Sequence, residues 1–241
     1  MLVALWYAAT TLTQFISPAR FPAPAEVWDA LRQVALTGYA DARLHVHVLH
    51  SVKLVLMGFC AAAAVGVPLG LAMGASRKVE AFANPAFLLI RPIPPLAWIP
   101  LAIVWLGLDD GAKILVIWFA AFVPCVINSF AGVRTIEPHL IEAARMLGVG
   151  RWMLVKEVLV PGALPMIFTG LRLSLQACWT TLVAGELIGA VAGLGRLLYQ
   201  GSLDIFPAMI LVGMVGVAIT GAAMTGVLGA IETRAMPWRR S

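Results

Sequence analysis

A chain of 241 residues that is 61% hydrophobic and only 12% charged is not a soluble domain, for which about 45–50% apolar and about 25% charged residues are usual. Its apolar runs are continuous, whereas a membrane β-barrel would alternate with a period of two, so the sequence predicts an all-α, polytopic membrane helical bundle. A net charge of +5, from 17 basic and 12 acidic residues, would point to nucleic acid in a soluble protein; in a membrane chain it reports sidedness, and no nucleic-acid partner is expected.

Crossing a hydrocarbon core of about 30 Å takes about 20 apolar residues. Six runs are read as spans: 1–16, 52–75, 83–107, 112–131, 166–189 and 206–230. The first reaches only about 24 Å at about 1.5 Å per residue, and no Lys or Arg precedes it as in a secretory signal. Either that helix begins upstream of Met1 or it uses the interfacial zone. The spans follow one another with short polar breaks, which predicts a single domain over 1–241.

Residues 17–50 form an outer lead-in. The prolines of "SPARFPAPAEVW" predict extended chain, and Val27, Leu31, Val34 and Ala35, at steps of three and four, predict a short amphipathic surface helix. His45, His47 and His50 do not suit a metal, because positions two apart on a helix point about 200° away from each other; they are assigned to solvated surface. Cys60, Cys125 and Cys178 each fall inside an apolar run and read as small buried hydrophobes.

The stretch "RPIPPLAWIP" sets Pro92, Pro94, Pro95 and Pro100 at one end of the third run. Each interior proline removes a helix bond, so this backbone is predicted to be unwound up to Pro95 and helical after it. Broken backbone at membrane depth is tolerated where protein buries it or a watery cavity meets it. Two readings of Arg91 follow, one lining a solute pathway or its gate and one snorkelling to lipid phosphate.

Between the fourth and fifth runs lies a loop, about 132–165, containing "IEAARMLGVGRWMLVKEVLVPGALP". Pro138 suits a first helical turn and a glutamate near that end favours the dipole. Leu140, Ala144 and Leu147 share a stripe, with Glu142 and Arg145 on another face. Gly148 or Gly150 supplies a left-handed cap, and a second amphipathic helix follows until Pro161 stops it. The small Ala143 and Ala144 let another surface approach closely, so the hairpin is either a docking element for a partner or a connector packed on its own spans. With the amino end inside, Arg77, Lys78, Arg91, Arg134, Arg145, Arg151, Lys156, Arg172, Arg234, Arg239 and Arg240 lie on or near the inner side. Arg20, Arg32, Arg43, Lys53, Lys113 and Arg196 lie outside, a bias that agrees with the positive-inside rule.

Further along, Asn128, Gln176, Trp179, Thr180 and Thr181 supply neutral donors and an aromatic wall, fit either to pass a small polar solute weakly or for interhelical hydrogen bonds. Gln176 and Thr180 share a face. Glu186 is the carboxylate assigned to a span, either in a hydrogen bond to a neighbouring helix or in the pathway. Arg172 lies about 21 Å from it along the same helix, too far to pair. Gly193 and Gly195 shape a tight outer loop.

Glu142-Ala143-Ala144, three residues, Gly148, nine residues, then Val158-Leu159-Val160-Pro161 resembles the EAA loop of permease subunits of binding-protein-dependent ABC importers. Val158 and Val160 stand where that family usually has Ile and Leu. The likeness covers nearly the whole chain, through "ISPARFPAPAEVWDAL", "RPIPPLAWIPLAIVWLGL", "GLRLSLQACWTTLVAGELIGA" and "AGLGRLLYQG", and is similar to the taurine, alkanesulfonate and nitrate branch. The resemblance implies a type I importer permease fold whose coupling helix docks on an ATPase through Leu140, Glu142, Ala143, Ala144, Arg145, Leu147, Gly148 and Pro161. It implies a homodimer with two ATPase subunits and a periplasmic binding protein, set in lipid of the bacterial inner membrane with both ends cytoplasmic. Arg91, Asn128, Gln176, Trp179, Thr180 and Glu186 are the pathway candidates for a small anion. The chain would be non-catalytic and bind no cofactor, ATP and Mg being used by the ATPase, and no G-x-x-x-x-G-K-[ST] phosphate loop occurs in it. The alternative is a secondary, ion-coupled transporter or channel, which would carry its own coupling-ion site.

Overall fold

Without water in a membrane core, every backbone N–H and C=O needs an internal partner, and this chain supplies those partners with helices. The computed structural model describes residues 6–7, 10–11, 21–189 and 191–240. In order these form α1 (Pro24–Leu36), α2 (Leu44–Ala75), α3 (Arg77–Ile90), a 3-10 turn (Pro95–Trp98), α4 (Ile99–Leu106), α5 (Asp110–Arg134), α6 (Pro138–Met146), α7 (Arg151–Leu154), a π turn (Val155–Leu159), α8 (Val160–Gly189), α9 (Leu194–Leu203) and α10 (Pro207–Ala235), with a last 3-10 turn at Pro237–Arg240. Among the described residues, four helical stretches are long and apolar enough to cross a membrane: Leu44–Ala75, Asp110–Arg134, Arg151–Glu186 and Pro207–Ala235. The pair Arg77–Ile90 and Pro95–Leu106, bent by 82°, makes a fifth if counted as one broken span. The expected first span, 1–16, lies mostly outside the described residues.

The bundle is ordered around α5, which packs on α2 and on α8. Helices in lipid gain little from apolar burial against each other and associate through close packing of small residues. Gly58, Ala62, Gly66, Gly70 and Gly74 fall on one stripe of α2 at four-residue spacing. A Cβ at Gly70 would stand 2.5 Å from the Val126 carbonyl and one at Gly66 would stand 2.8 Å from Cys125, so the two backbones meet closely. Gly170 of α8 does the same against Asn128 of α5, at 2.6 Å. The amphipathic α1 buries Ala30 and Val34 with Leu197, Met209 and Val212 of α9 and α10.

Four expectations are corrected. The second helix begins at Leu44, not at 52, so the lead-in ends earlier and the histidines lie on a helix; His47 is fully buried. The third run is helical through Ile90 and unwound only over 91–94. Pro85 alone does not break α3, but Pro92, Pro94 and Pro95 together remove donors and disfavour helix at the residues before them. Pro161 does not stop a helix, since the chain stays helical over Arg151–Glu186. The π turn just before it accommodates a ring that would otherwise clash with a carbonyl one turn back. Of the cysteines, Cys125 and Cys178 are buried as expected, whereas Cys60 is exposed.

Candidate functional site

At one end of the bundle the hairpin 135–159 is folded by local rules. Pro138 occupies the first turn of α6. At its other end Gly148 takes φ 77°, the Gly148 N–H donates to the Arg145 carbonyl (3.0 Å) and the Val149 N–H to the Ala144 carbonyl (3.2 Å). This is a Schellman cap with its apolar contact, because Val149 and Ala144 join the same cluster. That cluster, built on Val133, Leu154, Leu159, Ala163 and Ile167, seats the hairpin on α5 and α8.

The seating divides the predicted docking residues. Leu140, Glu142, Ala143, Arg145, Leu147 and Gly148 are exposed. Ala144 is buried against the chain's own helices, which corrects its assignment to a docking surface; its small side chain serves the seat. Pro161 is half-buried within the continuous helix and positions the hairpin from below. The sequence reading overlooked Met146 and Trp152, which are 84% and 79% exposed. The signal was there, since large apolar side chains in a polar hairpin mark a contact surface.

On α8, Thr169, Leu173, Gln176 and Thr180 are exposed at helical spacing, so Gln176 and Thr180 do share an open face. Trp179 does not line that face; it is buried in the central core beside Gly221 of α10. Thr181 is buried as well. Asn128 is half-buried and donates Nδ2 to the Pro124 carbonyl at 2.9 Å. Arg172 pairs with Glu232 of α10, a largely buried carboxylate that the sequence reading missed and that an arginine inside a span should have called for. Arg91 is exposed in the break at 91–94.

Glu186 is fully buried at the opposite end from the hairpin, and both its oxygens serve structure. Oε1 accepts from the Ser51 hydroxyl (2.8 Å) and Oε2 from the Gly195 N–H (2.6 Å). The Leu194 N–H donates to Ser51 Oγ (2.9 Å) and the Gly193 N–H to His47 Nδ1 (3.0 Å). His47 Nε2–H donates in turn to the Tyr39 carbonyl (2.9 Å), which fixes its tautomer. The first N–H groups of α9, orphans in any helix, are thus satisfied by three side chains from α2 and α8. Gly193 takes φ 138°, and a Cβ there would stand 2.0 Å from Glu186 Oε1. Glu186 thus makes the hydrogen bond to a neighbouring helix that one of its two readings expects, and His47 is a buried part of the same network, not solvated surface. Nearby, the Tyr39 hydroxyl donates to Asp204; burial, then that carboxylate, push its pKa well above the ordinary range. His50 instead meets Asp110 at 3.1 Å, and among the described residues no group of three or more His, Cys, Asp or Glu is placed to hold a metal.

Residues 66–237 match the family described as binding-protein-dependent transport system inner membrane component. The taurine transport system permease protein TauC of Escherichia coli (strain K12) is 38% identical over 99% of this chain and 86% of its own. The bicarbonate transport system permease protein CmpB of Synechococcus elongatus is 33% identical over 83% of this chain and 77% of its own. The nitrate import permease protein NrtB of Synechocystis sp. is 29% identical over 91% and 82%. A chain of the inward-facing MetNI methionine ABC transporter superposes with a TM-score of 0.62 at 20% identity, over 77% of this chain and 94% of that one, a likeness of fold.

Proposed function

The chain belongs to the inner membrane components of binding-protein-dependent transport systems, and from that membership we propose that two copies of it form the translocation pore of an ATP-driven importer for a small anion. It is a multi-pass permease subunit of the inner membrane. In the proposed assembly, two ATPase subunits bind the hairpin end on the cytoplasmic side, using ATP and Mg that this chain does not itself bind, and a periplasmic binding protein delivers solute at the other end. Both chain termini are then cytoplasmic, which the excess of basic residues near the hairpin end supports. The anionic solute is supported by relatives named for taurine, bicarbonate and nitrate.

The observation that carries the reading is the exposed ridge of the hairpin. Leu140, Glu142, Ala143, Arg145, Leu147 and Gly148 stand open while Ala144 and Val149 hold the helix on α5 and α8. A rigid element so placed transmits a push from below into the spans, and the open face of α8 with Gln176 and Thr180 is where solute would pass between two copies. In this mechanism ATP closes the two ATPases, each α6 moves with its ATPase, and the spans reorient to open the opposite side. Glu186, occupied by Ser51 and Gly195, supplies no coupling-ion site of the kind a secondary transporter carries.

The test is reconstitution in vesicles with candidate ATPase and binding-protein partners. Uptake is expected only with hydrolysable nucleotide and all partners present. Accumulation of taurine, bicarbonate or nitrate by this polypeptide alone, without nucleotide, would falsify the proposal.

A further inference from the structure

Among the described residues two arginines, Arg91 and Arg172, stand exposed away from the ends of the apolar helices, and only one is neutralised. Arg172 pairs with Glu232. Arg91, in the break between α3 and the Pro95–Trp98 turn, is exposed and makes no ion pair among the described residues.

Aromatic contacts on both sides set the depth of the break. Phe87 meets Phe122 edge to face at 6.2 Å, and Trp98 stacks on Phe119 at 4.1 Å. Eleven residues separate Phe87 from Trp98, yet their partners on α5 are three residues, about 4.5 Å, apart along the axis. Because α5 runs Asp110–Arg134, those partners lie about 14 Å or more from either of its ends. The chain therefore makes its 82° bend beside the middle of α5. Snorkelling serves residues near helix ends, so lipid phosphate does not explain an arginine here. Open backbone at this depth requires protein or a watery cavity beside it, and an intramembrane charge marks a polar path. The open face of α8 is at the same level: Ser174 donates to the Ala121 carbonyl of α5 at 2.8 Å, and Gln176 follows two residues on. α8 also contacts the Pro95–Trp98 turn.

We propose that Arg91 is the residue that selects for negative charge in the solute path, its guanidinium fork receiving an oxyanion such as a sulfonate, carboxylate or nitrate through paired N–H donors. This rests on the pathway reading above and names the group that would discriminate within it. Arg172, already paired with Glu232, is not free to do so.

The test needs no knowledge of the natural solute. In the assembled transporter, Cys60→Ser removes the exposed native thiol, the other two being buried, and Gln176→Cys places a reporter thiol on the α8 face. Its rates of reaction with anionic 2-sulfonatoethyl methanethiosulfonate and with cationic 2-(trimethylammonio)ethyl methanethiosulfonate are compared before and after Arg91→Gln. The anion-to-cation rate ratio is expected to fall at least roughly fivefold with Arg91→Gln and to recover with Arg91→Lys, since local charge concentrates ions of opposite sign. A ratio unmoved by Arg91→Gln would overturn the role of Arg91 and leave the pathway standing. If neither reagent reaches the thiol in either background, the pathway reading falls and this proposal with it. Should Arg91→Gln fail to assemble, the ratio with Arg91 intact is followed against salt. It must decline as screening grows, and a salt-independent ratio overturns the proposal.

Discussion

The two ends of the bundle treat their polar side chains in opposite ways. At one end His47, Ser51 and Glu186 are all fully buried and saturated, each accepting from one of the consecutive N–H groups of Gly193, Leu194 and Gly195. At the other, Glu142 and Arg145 stand exposed and make no ion pair among the described residues, amid open Leu147 and Met146. A satisfied buried network admits one geometry and resists alternatives. An exposed ridge holds nothing in its own chain, so its groups are available to another protein. The difference separates a fixed clamp from a handle.

Substitutions that break this contrast rank by their cost to folding. Gly193→Ala has the largest: it forces a side chain into a φ of 138° and sets a Cβ 2.0 Å from Glu186 Oε1, a cost of at least about 3 kcal/mol. Thermal unfolding in detergent is expected to show a clear fall in Tm, and an unchanged Tm would deny that the clamp is rigid. His47→Ala comes next, stranding the Gly193 N–H and the Tyr39 carbonyl at about 1–3 kcal/mol, read in the same assay. Gly148→Asp costs folding the least, about 1 kcal/mol, because Asp tolerates the left-handed conformation better than most residues and nothing lies within 4 Å of the position. The variant is expected to insert normally while nucleotide-driven uptake falls roughly 5- to 150-fold, the span of a coupling free energy of about 1–3 kcal/mol. Normal uptake would mean the handle is not gripped there.

What the sequence disclosed and what it hid divide along contact range. Gly148 and the prolines at 92, 94 and 95 were legible because glycine and proline restrict the backbone where they stand, and the helix cap and the break fell where those residues are. That Gln176 and Thr180 share a face followed from helical period alone. The burial of His47 was not legible, because its partner Gly193 is 146 residues away, nor was the duty of Glu186, whose partner Ser51 is 135 residues away. Ala144 and Trp179 were misassigned for a related reason. Periodicity shows which residues share a face but not which face meets a neighbour, and only the packing of α6 on α7 and the π turn, and of α8 on α10, decides that. Pro161 misled through a local rule applied too strictly, the neighbouring turn having loosened to admit the ring.

That loosened turn, Val155–Leu159, has a geometric consequence. An i→i+5 turn takes in one residue more than an α turn, so everything beyond it faces about 100° away from where an unbroken helix would aim it. The compass bearing of the hairpin about the long axis of α8 is therefore stored in a single surplus residue. Shortening the chain by one position there would swing the whole handle through more than a quarter circle while leaving its own fold intact.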